Sequence, residues 1–387
     1  MNRFTLFAVL LLTITLFLGC AQDGREKKSK ITMTETEPNN EASQAEPVSN
    51  NEFIAGYINE GYDQDWYKIS IPEDSGAVLR AELKGIRDIN LKMELFEGEE
   101  DDPALEINRN KEGEGETLTN YHLTPGDYYL RVRELWLKKF EKKFNDTLAY
   151  HLKIDLDNVN EGIELEPNNR AIESNKIIPG IPKRGYISPW NETDWYKLSL
   201  LPLENQYLEI TLTSVEDVDL SLKVYDPIEA VIYSADEKGR GEGEKITNLG
   251  IEPEKEFYYI VVEGGKWQSN ETSQYELMAQ FIQTPHKVEL EPNDRMVKAT
   301  TIASGDTING FIDTEKDEDW YHIDKGTFDT QIARIEVNGV PNVDFRIDVL
   351  NDMEETVLTV NETGEQENER VTNLGLQRSM NYYVRLK

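Results

Sequence analysis

The residues best placed to do chemistry in this sequence are carboxylates. Glu35 and Glu37 lie two apart, so on an extended stretch their side chains share a face. Pro38 keeps the residue before it extended, and Asn39 and Asn40 add neutral oxygens at a turn. If a hairpin bearing Asp63 and Asp65 folds back alongside, the oxygens reach the roughly six to eight that Ca²⁺ prefers. The plainer reading is that Glu-Pro-Asn only opens a domain and that the aspartates end a solvated hairpin. Other chemistries find less support. The four histidines (His122, His151, His286, His322) are scattered and form no H-E-x-x-H pair, and no G-x-S-x-G elbow occurs. Glycoside hydrolysis needs only two carboxylates, and a chain with 74 acidic residues meets that count anywhere. A catalytic pair, however, belongs to one specialised site, whereas these residues recur.

The recurrence sets the architecture. The strings ETEPNN, ELEPNN and ELEPND begin at Glu35, Glu164 and Glu289. The strings DWYKIS, DWYKLS and DWYHID begin at Asp65, Asp194 and Asp319. From Glu37, Glu166 and Glu291 to Trp66, Trp195 and Trp320 is 29 residues each time, and Gly56, Gly185 and Gly310 each lie 19 residues after that glutamate. Thr119-Asn120, Thr247-Asn248 and Thr372-Asn373 follow, then Tyr-Tyr pairs at 128, 258 and 382. A unit of this size suits an independent domain better than a solenoid repeat. Within each unit the apolar period is two, as in Asp88–Leu95, Asp217–Val224 and Asn342–Val349, and helical patterns are nearly absent. The expected fold is all-β: three tandem antiparallel sandwiches, at 35–157, 163–283 and 288–387. The tryptophans and the tyrosines after them are expected to pack, and the Gly-Glu-Gly-Glu strings at 113–116 and 241–244 to be solvated turns.

In this order, and three times over, these motifs resemble the bacterial pre-peptidase C-terminal domain, a jelly-roll-like module related to the collagen-binding domains of clostridial collagenases. The resemblance spans nearly all of 35–387, although no peptidase region stands beside it. It implies calcium. By position, it carries the ligand set of copy one (Glu35, Glu37, Asn39, Asn40, Asp63, Asp65) to copy three as Glu289, Glu291, Asn293, Asp294, Asp317 and Asp319. Copy two offers Glu164, Glu166, Asn168, Asn169 and Asp194, with Glu192 and Thr193 departing from the aspartate pattern.

The ends of the sequence carry further expectations. Arg3, the uncharged apolar run Phe4–Leu18, and Leu16-Phe17-Leu18-Gly19-Cys20 read as a bacterial lipoprotein signal over 1–19, with Cys20 the lipidated residue. Fifteen residues is short of the ~20 that a spanning helix needs. Residues 20–34 read as a flexible tether, which places the rest in the bacterial cell envelope, lipid-anchored to the outer membrane or cell surface. The net charge of −33 argues against nucleic acid, whose affinity comes from Lys and Arg. The expected partners are extracellular protein or polysaccharide, with an accessory role beside a secreted peptidase as the alternative. Glu134–Asn145, with Trp136, Phe140 and Phe144 among lysines, is either a cover over its own sandwich or a basic amphipathic element for a membrane or partner. Copies one and two run past Tyr-Tyr into a last strand, around 149–154 and 274–279. Copy three stops at Lys387 and should expose an unpaired edge, either because the reading frame is truncated or because a partner donates the strand.

Overall fold

The computed structural model describes residues 30–98, 100–135, 143–200, 206–252, 254–283, 287–312, 317–326 and 330–387. The signal sequence, Cys20 and most of the tether therefore lie outside the described residues, as do Trp136 and Phe140. The described chain is all-β, with short 3₁₀ turns at Ala42–Gln44, Ala171–Glu173 and Met296–Lys298.

The strands fall into three sets, each closed on its own apolar cluster. In the first set, one sheet runs in the order Met33–Thr34, Glu52–Ile58, Asn145–Asn158, Ala77–Lys84 and Glu116–Leu123. The other runs Glu46–Pro47, Gln64–Ile71, Gly126–Glu134, Leu91–Glu97 and Leu105–Ile107. Both contribute to one buried cluster that includes Ile54, Leu79 and Leu152 from the first sheet and Ile69, Met93 and Leu130 from the second. The second set repeats this with Lys183–Ile187, Asn270–Gln283, Gln206–Leu212 and Glu244–Leu249 facing Asn175–Ile177, Thr193–Ser199, Phe257–Gly264, Leu220–Tyr225 and Val231–Ala235. Alternation places the side chains: along Gln206–Leu212, positions 206, 208, 210 and 212 are buried and those between are half-exposed.

The third set is built differently. Its five-stranded sheet has the same form: Thr300–Ala303, Asp319–Asp324, Tyr382–Leu386, Ile347–Asn351 and Thr356–Val360. Opposite it, Thr330–Val337 pairs only with Glu369–Gln377, and Ile308–Asn309 only with Lys287–Val288. The strand that separates their counterparts in the other two sets has no equivalent among the described residues.

Two recurring motifs find backbone explanations. The alternating strands begin later than their pattern implies, at Leu91, Leu220 and Ile347. Asp88, Asp217 and Asn342 lead into them with φ of 66°, 61° and 64°, a left-handed conformation that short polar side chains tolerate. The Thr-Asn pairs are β-bulges. Register slips between Leu79 and Ala81, Leu208 and Ile210, and Ala333 and Ile335, so both residues of each pair oppose one residue of the neighbouring strand.

Because each cluster is separate, melting should resolve by unit. Leu277→Ala, at a fully buried position, should destabilise the second unit by about 2–5 kcal/mol. Differential scanning calorimetry should show one transition moving down while the others stay, and the third unit, with the smallest cluster, melting first.

Candidate metal centres

Each unit brings its opening glutamates onto the start of its Asp-Trp-Tyr strand. The carboxylates of Glu35, Glu37 and Asp65 each offer an oxygen within 4.8 Å of the others, and so do Glu164, Glu166 and Asp194, and Glu289, Glu291 and Asp319. The segment reaches this position through three recurring contacts. The peptide before Pro38, Pro167 and Pro292 is cis. The backbone N–H of Trp66, Trp195 and Trp320 donates to the carbonyl of Asn39, Asn168 and Asn293, at 3.1, 2.9 and 3.3 Å. The first glutamate accepts from the residue after the recurring glycine: Tyr57 N–H to Glu35 Oε1 at 2.5 Å, Tyr186 N–H to Glu164 Oε1 at 2.7 Å, and Phe311 N–H to Glu289 Oε1.

The glycine itself makes room. A Cβ on Gly185 would lie 2.0 Å from Glu164 Oε2 and 2.3 Å from the Tyr275 hydroxyl, and one on Gly56 would lie 2.2 Å from the Tyr150 ring. Those two tyrosines come from the last strand of each unit. The Tyr150 hydroxyl donates to Asp65 Oδ2 at 2.6 Å and meets the Tyr67 hydroxyl at 2.5 Å. Tyr275 donates to Asp194 Oδ2 at 2.6 Å and approaches Glu164 Oε2 at 2.9 Å. The tyrosines of the Asp-Trp-Tyr strands thus belong to the centres, whereas the tryptophans pack on the outer face, Trp66 against Phe96 at 4.8 Å and Trp195 against Tyr225 at 5.1 Å.

The remaining candidates divide. Asp63 and Glu192 hold equivalent places, each two residues before the strand aspartate and each accepting a backbone N–H, from Asn59 and Ser188 respectively. Glu192 is buried and repels Asp194, Glu166 and Glu164, so the second centre is a set of four carboxylates. The matching offset of two residues was the signal for it. Asp317 is half-buried and adds its charge to Asp319 and Glu291. Asn40 uses its oxygen to accept from Gln64 N–H at 3.0 Å, Asn169 accepts weakly from Thr193 N–H at 3.4 Å, and Asp294 is exposed. In the Gly-Glu-Gly-Glu strings Glu114 and Glu242 are exposed as expected, and the second glutamate of each corrects the solvated reading. Glu116 is buried and holds the N–H groups of Arg109 and Asn110, and Glu244 is buried and holds that of Lys238.

Burial dominates the electrostatics. It pushes Glu35 and Glu164 up to about 7, Glu166 and Glu291 to about 8, and Asp319 to about 9, against the hydrogen bonds that each accepts. Asp65 and Asp194 are raised well above the usual carboxylate range by burial and then by the neighbouring glutamates. Several polar atoms point inward without a partner. Asp63 Oδ1 and Asn293 Oδ1 are buried with none, and the amide oxygens of Asn39 and Asn168 face only other acceptors. Either the amides turn so that their nitrogens meet the carboxylates, or a cation sits among the oxygens. The donor set, all oxygen and largely anionic, fits Ca²⁺.

The second and third centres also lie at the joints between units. Asn120 Nδ2, on the first unit's bulge, donates to Glu164 Oε1 at 3.0 Å. Glu166 N–H donates to Asn120 O and His122 N–H to Glu166 O, both at 2.9 Å. The next joint repeats the pattern, with Glu291 N–H to Asn248 O at 3.0 Å and Gly250 N–H to Glu291 O at 2.8 Å. Arg109 reaches across the first joint to Ser188 Oγ at 2.9 Å, and its charge lowers Glu166.

Searches for a matching family model and for a curated relative found none. Among solved structures, 29% of this chain aligns with 94% of the pre-peptidase C-terminal domain of a collagenase from Bacillus anthracis, at 18% identity and a TM-score of 0.22. A putative secreted protein from Eubacterium rectale aligns with 65% of the chain over 84% of its own length, at 11% identity and a TM-score of 0.18. A fucolectin from striped bass serum aligns with 59% over 86% of its own, at 9% and 0.17. At such scores the likenesses carry no weight, and the residues themselves must support any reading of function.

The raised values fix the sign of a pH effect. The folded state keeps protons that the unfolded chain releases at the ordinary carboxylate value. Without metal, stability is therefore fully present below about 4.5 and is lost as pH rises through about 7 to 8. The apo protein should lose about 5 °C or more in Tm between pH 5 and pH 8.5, read by circular dichroism, and millimolar Ca²⁺ should restore it at the higher pH. The joint is testable separately. Asn120→Gly keeps the positive φ of 49° and deletes the amide, which should cost about 1.5–3 kcal/mol and lower the calorimetric transition of the second unit, whose Glu164 loses the donor.

Proposed function

We propose that this chain is a non-catalytic bacterial lipoprotein of three pre-peptidase C-terminal-like, jelly-roll-type units, whose opening segments are held by Ca²⁺ and whose surface binds extracellular protein or polysaccharide. The observation that carries this reading is the threefold recurrence of one largely buried carboxylate centre, which in the second and third units also lies at the joint with the unit before. Its oxygens are engaged by backbone N–H groups, tyrosines and an asparagine, and such a set positions chain segments rather than a reacting bond. The described histidines support the same reading. His122, His151 and His322 sit on three separate strands, with His151 stacked on Phe53 and His322 tilted against Tyr383.

A bound Ca²⁺ would be held in the first unit by Glu35, Glu37, Asp65 and the freed oxygens of Asn39 and Asp63. In the second it would be held by Glu164, Glu166, Glu192, Asp194 and Asn168, and in the third by Glu289, Glu291, Asp319, Asn293 and Asp317. The ion supplies the positive charge that lets these carboxylates stay ionised while buried. For binding a partner, the second unit presents an aromatic pair: the rings of Trp190 and Trp267 lie 4.4 Å apart, and the two residues are 45% and 64% exposed. Such rings offer a rigid, amphipathic face to a sugar ring or a protein side chain.

Isothermal calorimetry of the full chain with Ca²⁺ tests the metal reading. Saturable binding is expected, with Asp65→Asn and Asp194→Asn each removing one site. No heat and no change in Tm up to about 10 mM would defeat it. Arrays of matrix proteins and polysaccharides test the surface. Trp267→Ala should abolish the captured ligand's binding at unchanged Tm, and Cys20→Ser should move the protein from the membrane to the soluble fraction.

A further inference from the structure

The second unit carries an aromatic pair that the repeated architecture does not require. By the offsets that align the Asp-Trp-Tyr strands, Trp190 stands where copy one has Gly61 and copy three has Glu315. Trp267 lies in the short segment between Phe257–Gly264 and Asn270–Gln283. Both side chains are exposed, their rings pack on each other, and the apolar cluster of the unit closes without either.

The backbone that presents Trp267 is strained. Gln268 N–H donates to Gly265 O at 3.0 Å and closes a turn whose third residue, Trp267, has φ of 63°. Glycine or asparagine suits that position, and a bulky side chain there is an outlier. The turn is fixed from several directions. Gly265 N–H donates to Asp219 O at 2.7 Å, Asp219 N–H to Gln268 Oε1 at 2.6 Å, and Trp267 N–H to Asn191 Oδ1 at 3.2 Å. The last of these ties it to the turn that bears Trp190. Strain that the surroundings hold in place clusters at ligand sites, and here it lies under an exposed ring.

Size and charge select the occupant. With Trp190 and Trp267 45% and 64% exposed, the two side chains offer roughly 270 Å², taking about 250 Å² for a whole tryptophan. A stable protein complex takes about 800 Å² from each partner, so the pair matches a sugar ring better than a folded protein. The rim is polar: Asn191, Lys266 and Ser269 are exposed and Gln268 is half-buried. Asn191 and Gln268 spend their amide oxygens on backbone N–H groups, which leaves their NH₂ groups as donors for hydroxyls. A net charge of −33 disfavours polyanionic glycans, anionic membranes and nucleic acid.

We propose that this platform binds a neutral polysaccharide: the C–H face of one pyranose ring stacks on Trp267, Trp190 supports that indole, and the amides of Asn191 and Gln268 donate to the sugar's hydroxyls. The proposal rests on the reading of the chain as a surface-binding protein and narrows the ligand to one class. Glycine would suit the turn better, so the tryptophan stands there for its exposed face.

Affinity electrophoresis of the full chain in gels carrying neutral glucans, mannans or xylans tests this. Gels with alginate or gelatin, and flotation with anionic phospholipid vesicles, are the contrasting probes. At least one neutral polysaccharide should retard the protein and quench its tryptophan emission saturably, with little dependence on salt. Trp267→Gly should weaken that binding at least tenfold while the calorimetric transition of the second unit stays or rises. Trp190→Gly, as in copy one, should weaken it at least threefold. If the ring were there for packing, Trp267→Gly would lower the transition instead, and that result would overturn the proposal. So would undiminished sugar binding by Trp267→Gly, or binding to alginate or vesicles alone. Capture by gelatin and by no neutral polysaccharide would overturn the platform and leave the broader surface-binding reading standing, whereas no capture by any probe would count against both.

Discussion

Several carboxylates with oxygens within 4.8 Å of one another, and most of them buried, form the constraint around which each unit is built. Two like charges about 4 Å apart repel by about 4 kcal/mol at an effective dielectric of 20, and each additional charge adds further pairs. A chain can meet this by keeping protons, by surrounding the oxygens with donors, or by placing a cation among them. The first unit shows donors at work: Tyr57 N–H on Glu35, the Tyr150 hydroxyl on Asp65 and Asn59 N–H on Asp63. Tyr57 and Asn59 lie at the end of Glu52–Ile58, and Tyr150 comes from Asn145–Asn158, far later in sequence. The centre is therefore where the opening segment, the Asp-Trp-Tyr strand and the last strand are tied to one another, and the upward shifts show that these donors alone do not offset burial.

The same constraint reaches across the joints. The second and third opening segments lie against the bulge of the unit before, and Asn120 gives its amide to a centre that is not its own. A bulge suits this role, since the extra residue re-aims a side chain from the edge of a sheet. Protonation of Glu164 thus acts on the link between units as well as on the unit that contains it. In the third unit the matching pair, Thr372-Asn373, is exposed, which shows that the buried state of Asn120 and Asn248 comes from the neighbour and not from the bulge itself.

Much of this was legible in the sequence, because the opening strings, the glycine and the Asp-Trp-Tyr strand recur at fixed offsets and are local motifs. The three-carboxylate groups follow directly from them. The tyrosines of the last strands were harder to read. Tyr150 and Tyr275 sit in ordinary alternating segments, and copy three has no counterpart to complete the comparison. Their role depends on pairing with strands some 70 to 100 residues earlier, which no local period reports. The Thr-Asn pairs were visible as repeats but carried no chemistry on their face. Only the slipped register and the neighbouring unit's backbone give them one. Glu192 looked like a break in the aspartate pattern, yet its place two residues before Asp194 preserves the contact while lengthening the side chain by one methylene.

The molecule also contains an internal control for how it treats buried acids elsewhere. Glu94 is 1% exposed on the outer sheet of the first unit, and Lys92, Arg131 and Arg133 all reach it, so its carboxyl is held at about 2 despite burial. Asp348 in the third unit is equally enclosed and is lowered with the help of Thr359, Arg385 and Arg346. A chain with 41 basic residues could have matched every buried acid in this way. At Asp65 and Asp194, among the described residues, the partners are instead tyrosine hydroxyls and further carboxylates, and the shift runs upward. A removed lysine or arginine would leave a gap for a large flexible side chain, whereas these centres converge oxygens from four or more side chains on a small volume. That difference in shape, as much as the difference in charge, sets these centres apart from the paired acids at Glu94 and Asp348.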